Sequence, residues 1–583
     1  MKRSILPVVA ICLAVALALT ACAQPETPTP TSTPTPTSAT EQPKYGGVFN
    51  FAINVPLAGF DEAFTYPWSC YTLNLTNEEL LTGDWAKGAG GTNEAGWLIA
   101  GIFLEPLETG VVAESWEVPD NETVIVHIRK GIHFHDKAPV NGRELNADDV
   151  VYSFQRLYQL PTSYLNYAYP AGYLNRPKSI TAPDKWTVVM KFPMMDVKRS
   201  LQAFDFARIV PREMVEKYGD LRDWRAACGT GPFMLKDYVP GASATLERNP
   251  NYWRKDPLHP ENTLPYLDGI NMLIIEDAST RMAGFRTGKL DLLGGHVSVI
   301  VSQDITSLKQ TNPNAETLRY LSQPYCIHMR TDKPELPFKD IRVRQALAMA
   351  IDRTTIAKDF YGGDAEILAH PLMPCEEFAN IMPSLKELPE STRELYEYHP
   401  DKARQLLTEA GYPNGFRTKI TCCQEHVPML SIVKDYWAKV GVNLDIDVRE
   451  YGVWKSICTG GKHEEMIYDI HASTSVAAVN RFKEGQWENL SFINDQRVRE
   501  FVASVDKYNG DWVELQRVWR EFIPYFLDKS WIIETPTPYQ YTIWQPWVRN
   551  YHGENSVGFY NYSNYPIYIW LDTNLKKSMG YKD

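Results

Sequence analysis

Apolar positions recur with two different periods along this chain. Val124, Val126 and Ile128 share one face of an extended segment, as do Trp186, Val188, Met190 and Phe192 of another, and this period of two predicts strands. Elsewhere the spacing is helical. Val150, Phe154 and Leu157 follow Asn146, a good N-cap, and Asp148 and Asp149 fall in the first turn, where the helix dipole favours carboxylates. Asp340 caps a second predicted helix with Val343, Leu347 and Ala350 inward. In a third, Pro400 sits at the start, Ala403, Leu406, Leu407 and Ala410 form the stripe, and Gly411 ends it. Alternating strands and helices without an internal repeat make the class α/β or α+β.

The first 43 residues are of a different kind. Lys2 and Arg3 precede an uncharged run from Ile5 to Leu19, the pattern of an export signal. The run ends Leu19-Thr20-Ala21-Cys22, which resembles the bacterial lipobox, in which the cysteine is lipidated and becomes the mature N-terminus. An uncleaved membrane anchor from Ser4 to Ala23 is the alternative. The expectation is a lipoprotein signal over 1–21 and a lipidated Cys22 opening a tether over 22–44. Pro and Thr alternate in that tether and nothing large or apolar occurs, so it predicts an extended polyproline-like linker. Either way the body lies outside the cytoplasm.

Composition then narrows the body. At 583 residues and 44% hydrophobic, the chain can bury a large core. Lys plus Arg number 59 against 71 acids, a formal charge of −12 with no long basic tract, which argues against nucleic acid as a partner. Nine cysteines include Cys12 in the signal and Cys22; seven remain, an odd number, without a C-x-x-C pair. Adjacent Cys422 and Cys423 read as packing residues.

Catalytic signatures are missing. G-x-x-x-x-G-K-[ST], H-E-x-x-H and G-x-S-x-G do not occur, and Gly88-Ala89-Gly90-Gly91 reads as a flexible loop. His133, His135 and Asp136 form an H-x-H-D cluster that lacks a third clear ligand and reads as an exposed strand end. His463, Glu464 and Glu465 read as a solvated charged loop. The expectation is no catalytic residue, no metal and no cofactor; a secreted hydrolase, motivated by aromatic and acidic richness alone, is the weakest reading.

Several blocks together carry a resemblance. Val112-Ala113-Glu114-Ser115-Trp116-Glu117-Val118, Ile128 to Asp136 and Ala147 to Ser153 come first. Gly229-Thr230-Gly231-Pro232-Phe233, Glu247 to Trp253, Pro337 to Ala346, and Ala403 to Pro413 follow. In order and kind these resemble family 5 extracellular solute-binding proteins, the peptide and nickel receptors of ABC importers. The resemblance implies a two-lobed α/β clamp like the type II periplasmic binding proteins, with an extra domain inserted in the first lobe. Its expected limits are 45–75, 180–290 and 530–583 for the first lobe, 76–179 for the extra domain and 291–529 for the second lobe. It also implies a monomer that encloses a small solute, delivers it to permease subunits and meets the membrane through its lipid. From the blocks themselves, Gly229 and Gly231 are expected to give backbone freedom beside Pro232, and Arg342 and Arg344 to pair with acids around a helix start.

The cargo is less defined. Peptide-binding relatives carry a segment resembling Y-D-x-x-x-x-x-W-x-x-D, whose aspartate meets the peptide ammonium. Here Tyr468-Asp469 is followed by Ile470-His471-Ala472-Ser473-Thr474-Ser475-Val476-Ala477-Ala478, without the tryptophan or the second acid. A buried ammonium without a partner costs several kcal/mol, roughly, so a peptide needs another anion. Arg330 stands where the family commonly has Asn. The candidate solute contacts are Asn54, Phe60, Tyr71, Arg330, His471, Ser473 and Ser475, with Trp487 as an alternative aromatic platform for an oligosaccharide.

Overall fold

Hydrogen-bonded pairing sorts the strands into three principal sheets. The computed structural model describes residues 42–65, 70–99, 101, 103–168, 176–193, 201–295, 298–373, 375, 378–472, 479–486, 488–508 and 511–582. Cys22, Ser473, Ser475 and Trp487 lie outside these. Residues 44–583 form one compact unit.

Among the described residues, a large sheet of eight strands runs in the order Glu316–Leu321, Thr537–Trp544, Leu292–Leu293, Val48–Ile53, Gly269–Ile274, Ser243–Arg248 and Phe233–Val239, with Ala365–Glu366 also paired to Thr537–Trp544. A second sheet of five strands has the order Val442–Arg449, Phe416–Cys423, Met466–Ile470, Tyr325–Met329 and Ile532–Glu534. The third, antiparallel, is Ala113–Asp120, Thr123–Ile128, Thr187–Lys191 and Ser179–Asp184.

Single sheets draw strands from both sides of the expected limits. Glu316 to Leu321 pair antiparallel with Trp544 to Tyr539, so the large sheet keeps the chain through Leu321 and takes it back at Thr537, cutting across the expected limits at 291 and 530. Ser179–Asp184 and Thr187–Lys191 belong to the four-stranded sheet, beyond the expected end of the extra domain at 179. Backbone pairing sets sheet membership, and composition does not report it.

Local expectations hold at the caps. Asn146 accepts from the Asp148 amide at 2.8 Å while Asp149 accepts from the Asn146 amide at 3.0 Å, a reciprocal capping box that opens helix Ala147–Gln159. Val150, Phe154 and Leu157 are buried on its inner face. Asp340 accepts from the Arg342 amide at 2.9 Å and caps Ile341–Met349. Gly411, at φ +95°, follows helix Pro400–Glu409 in the left-handed region that glycine adopts without strain.

Two local expectations need correction. Gly229 and Gly231 have no left-handed φ; a Cβ on Gly229 would lie 2.1 Å from the Thr76 carbonyl oxygen, and one on Gly231 2.6 Å from that of Leu75, so close backbone approach is what these positions require. Arg342 does pair with Asp340 at 2.6 Å. Arg344 makes no ion pair among the described residues; it is buried and donates to the carbonyls of Phe338, Lys339 and Lys529 at 2.7, 3.0 and 3.0 Å.

The sheets carry separate cores. Phe49, Phe51, Trp547 and Tyr568 pack on the large sheet, and Ile327, Ile420, Trp437 and Tyr468 on the five-stranded one. The latter extends into an aromatic stack of Phe482, Phe501, Phe522 and Phe526.

Candidate functional site

Two short segments carry the chain directly from one of the two larger sheets to the other. Residues 322–324 join Glu316–Leu321 to Tyr325–Met329, and residues 535–536 join Ile532–Glu534 to Thr537–Trp544. Pro324 and Pro536 lie in these crossings and Pro538 follows at the start of the next strand; lacking an amide donor, they interrupt the ladder there. The two passages are bonded to each other. Ser322 N donates to Pro538 O at 3.1 Å, and Thr535 Oγ1 donates to Tyr325 O at 3.1 Å. Neighbouring sheets joined by such short paired segments are placed to hinge.

Against these passages lies a cavity of about 440 Å³. Ser322, Gln323, Thr535 and Pro536 line it from the crossings; Tyr320, Gln540, Asn555 and Tyr562 from one side; Tyr325, Tyr361, Glu425, His426 and Tyr468 from the other. Tyr325 stacks on Tyr468 with ring centroids 5.5 Å apart, and the Tyr468 hydroxyl meets Thr535 Oγ1 at 2.6 Å. Tyr320 OH donates to Gln540 Oε1 at 3.2 Å. Burial pushes the phenols of Tyr325 and Tyr468 well above their ordinary range and that of Tyr361 up to about 12, so all three are neutral donors at neutral pH. Among the described residues Glu425 is the one lining acid, and a hydrogen bond from His426 holds its carboxyl below the usual range. A neutral aromatic wall with one fixed anion suits a small polar solute. It offers no nucleophile paired with a base and oxyanion donors.

Comparison with known proteins accords with this geometry. Residues 109–479 match the model for bacterial extracellular solute-binding proteins, family 5 middle. The chain belongs to this family. Heme-binding protein A of Haemophilus influenzae is 31% identical over 379 residues, 60% of this chain and 64% of that protein, so the alignment spans less than two thirds of that relative. A dipeptide-binding protein of Pseudomonas aeruginosa is 25% identical over 498 residues, covering 78% of this chain and 86% of the other. The Helicobacter pylori periplasmic binding protein DppA, solved with the peptide STSA, superposes with a TM-score of 0.67 at 23% identity over 91% of this chain and 99% of its own. The two-lobed α/β architecture expected from the resemblance is thus the fold of this family 5 protein. Its family is one of binding receptors, not enzymes.

In this family 5 chain Asn54, Phe60, Tyr71, Arg330 and His471, the described residues among those singled out from sequence, lie apart from the cavity lining. Asn54 is half-buried just past Val48–Ile53. Phe60 is buried edge-on to Tyr238 and lines a small void with Glu62 and Arg208. Tyr71 is buried, and that burial raises its phenol pKa. Arg330 is committed to the scaffold: it meets Asp332 at 2.7 and 2.6 Å and the carbonyls of Gly461 and His463 at 3.3 and 3.0 Å, with its guanidinium 3.7 Å from the Phe492 ring centroid. Asp469 is buried and lies 3.4 Å from Lys455, so it presents no anion to the cavity. Of the imidazoles read as surface groups, His135 is buried between Gly229 N and Gly231 O at 3.3 and 3.0 Å, and burial drops its pKa to about 4. His463 is buried too, at about 3 for the same reason, and is no solvated loop residue.

His471 is a core residue. Its ring stacks on Phe526 at 6.0 Å and faces His328 at 5.2 Å and His370 at 6.1 Å, and neither ring nitrogen has a hydrogen-bond partner among the described residues. Burial, with His328 and Arg481 nearby, holds its pKa well below 6.5. The folded state therefore binds fewer protons than the unfolded state, so its contribution to stability is present above pH 6.5 and lost as pH falls. His471→Phe is expected to make the acid loss shallower by about 1.6 kcal/mol between pH 6.5 and 5. Denaturant titrations of both proteins at the two pH values test this, and parallel pH dependences would exclude a neutral buried imidazole.

Proposed function

We propose that this protein is an extracytoplasmic receptor that encloses a peptide or peptide-like solute between its two larger sheets and hands it to an ABC importer. The observation that carries the reading is the position of the cavity, walled by both crossings, so that closure about them changes the solute's contacts directly. The dipeptide-binding relative supports it. Glu425 is the carboxylate available to a solute ammonium, in place of the missing acid of the 468–478 segment. Solute-induced closure would shift a pre-existing equilibrium by differential contacts, without covalent chemistry.

The same proposal includes an export signal over 1–21, a lipid on Cys22 and a Pro/Thr tether to residue 44. No helix among the described residues is long and apolar enough to cross a membrane. The lipid would keep a monomeric body beside its permease while the tether lets it reorient. Asn54, Phe60, Tyr71, Arg330 and His471 act in this reading as scaffold, and Ser473, Ser475 and Trp487 remain candidate contacts.

A second reading keeps the receptor and changes the cargo to an oligosaccharide or another non-peptide solute. It is favoured by the altered segment after Asp469 and by a relative named for heme. Mass spectrometry of what the purified full chain releases on denaturation separates the two. Short peptides are expected, with rebinding of the same species by calorimetry at micromolar affinity or better, a binding free energy of about −8 kcal/mol. A released sugar or porphyrin would move the assignment to the second reading. Turnover of an added peptide or glycan panel without stoichiometric binding would overturn both.

A further inference from the structure

One cluster in the cavity wall has the composition of a metal site. Strand Phe416–Cys423 ends at Cys423, the turn Gln424–His426 follows, and helix Val427–Ala438 begins at once. This tight turn brings three different donors together: a thiol, a carboxylate and an imidazole, the ligating atoms all within 4.8 Å of one another. Among the described residues no other group of three His, Cys, Asp or Glu side chains is so arranged.

The distances between donors can be set against coordination geometry. With metal–sulfur bonds of about 2.3 Å and metal–nitrogen or metal–oxygen bonds of about 2.05 Å, a tetrahedral ion separates sulfur from nitrogen or oxygen by about 3.5 Å and nitrogen from oxygen by about 3.3 Å. Cys423 Sγ lies 3.7 Å from His426 Nε2 and 3.6 Å from Glu425 Oε1, and Nε2 lies 3.5 Å from Oε1. All three edges come within about 0.2 Å of the tetrahedral values. Nδ1 is also near, 3.4 Å from Sγ, so the sulfur lies beside the ring and not ahead of either nitrogen, and metal binding requires the imidazole to turn until one nitrogen faces Sγ; the Cys423 amide contact that this would break is long at 3.5 Å. Charge balances as well, since a thiolate and a carboxylate neutralise a dication while the imidazole stays neutral; with the ion bound, Glu425 is no longer the anion offered to a solute ammonium, and the solute meets the metal instead.

The geometry points to a site for a divalent transition-metal ion of the zinc class, held by Cys423 Sγ, Glu425 Oε1 and a ring nitrogen of His426, with its fourth position open to the cavity. Sulfur, nitrogen and oxygen donors in one site favour zinc, cobalt, nickel or copper over magnesium or calcium. Glu425 and His426 line the cavity, while Cys423 is buried behind them. Three protein ligands and an open position describe a metal that another donor completes, and here that donor would be an atom of the solute. This last step rests on the cavity being the solute site; metal binding itself does not. Cys422, next in sequence, belongs to the core of the five-stranded sheet, so the neighbouring cysteines have separate roles.

Cobalt(II) titration of the reduced full chain tests the site. Expected are the visible bands of tetrahedral cobalt and a near-ultraviolet thiolate-to-cobalt charge-transfer band, both saturating at one equivalent and reversed by zinc. Cys423→Ser is expected to abolish the charge-transfer band and, like His426→Gln, to weaken binding by at least about tenfold. Cys458→Ser, at another buried thiol, leaves the spectrum unchanged. Azide is expected to shift the visible bands by entering the open position. Absence of the charge-transfer band, or its survival in Cys423→Ser, would overturn the site; bands unmoved by azide would overturn the open position. Neither result bears on whether the full chain releases and rebinds a solute, so the two proposals fail separately.

Discussion

Arg208→Met is expected to destabilise the protein by about 3–5 kcal/mol, read as a lowered denaturant midpoint, because it strands two buried carboxylates. Arg208 is fully buried. Its guanidinium lies 3.2 Å from Glu62 Oε2 and 3.3 Å from Glu79 Oε1, and donates to Phe206 O at 2.6 Å, Asn561 Oδ1 at 3.2 Å and Asn74 Oδ1. Glu62 also accepts from the Arg208 amide at 2.8 Å. Burial pushes both acids up to about 7 while the arginine pulls them down, so loss of the cation forces them to protonate or to unfold their surroundings. Removing one acid is milder, since the other remains to satisfy the arginine. Glu79→Gln is thus expected to cost well under half as much, and a larger loss from Glu79→Gln than from Arg208→Met would exclude the arginine as the centre of the cluster.

That cluster also shows where sequence stops being informative. Asp61-Glu62 and Glu78-Glu79 are pairs of adjacent acids of the kind that usually face water, yet all four are buried. Glu62 and Glu79 meet Arg208, Asp61 meets Arg156 at 2.5 Å, and Glu78 accepts from Tyr252 and Trp253 at 2.8 and 3.1 Å, separations that no local pattern encodes. Local signals did transfer. Asn146, Asp340 and Gly411 act on neighbouring backbone, and the alternation through Val124, Val126 and Ile128 reports a face that the four-stranded sheet buries. Gly229 and Gly231 were visible as special positions, but the carbonyls of Thr76 and Leu75 that exclude a Cβ were not. The cavity is harder still, because Tyr320, Glu425, Tyr468, Thr535 and Tyr562 meet only after two sheets have formed. Only the crossings left a trace, in the prolines at 324, 536 and 538. Cys423, Glu425 and His426 lie within four residues of sequence; what the sequence lacked was the turn that brings their donor atoms within 4.8 Å of one another.

Ser322→Trp is expected to abolish solute capture while leaving the fold intact. Ser322 is half-buried on the first crossing, lines the cavity and uses its amide, not its side chain, to hold Pro538. An indole in this position occupies a substantial part of a cavity of about 440 Å³ and also meets the opposite wall before the sheets can close. Affinity is then lost twice, through excluded contacts and through a closed state made less accessible. A loss of at least a hundredfold is expected by calorimetry, about 2.7 kcal/mol, against the solute recovered from the wild-type chain. The solute-free protein should unfold at a denaturant midpoint near that of the wild type, since the added ring enters open space and displaces no core residue. Ser322→Ala separates size from hydrogen bonding: it removes the hydroxyl without filling the cavity and is expected to bind within about threefold of wild type, less than 0.7 kcal/mol. Wild-type affinity in Ser322→Trp would place the solute elsewhere on the molecule. Equal losses in both variants would assign the effect to the hydroxyl, and the crossing would then act by direct contact instead of by closure.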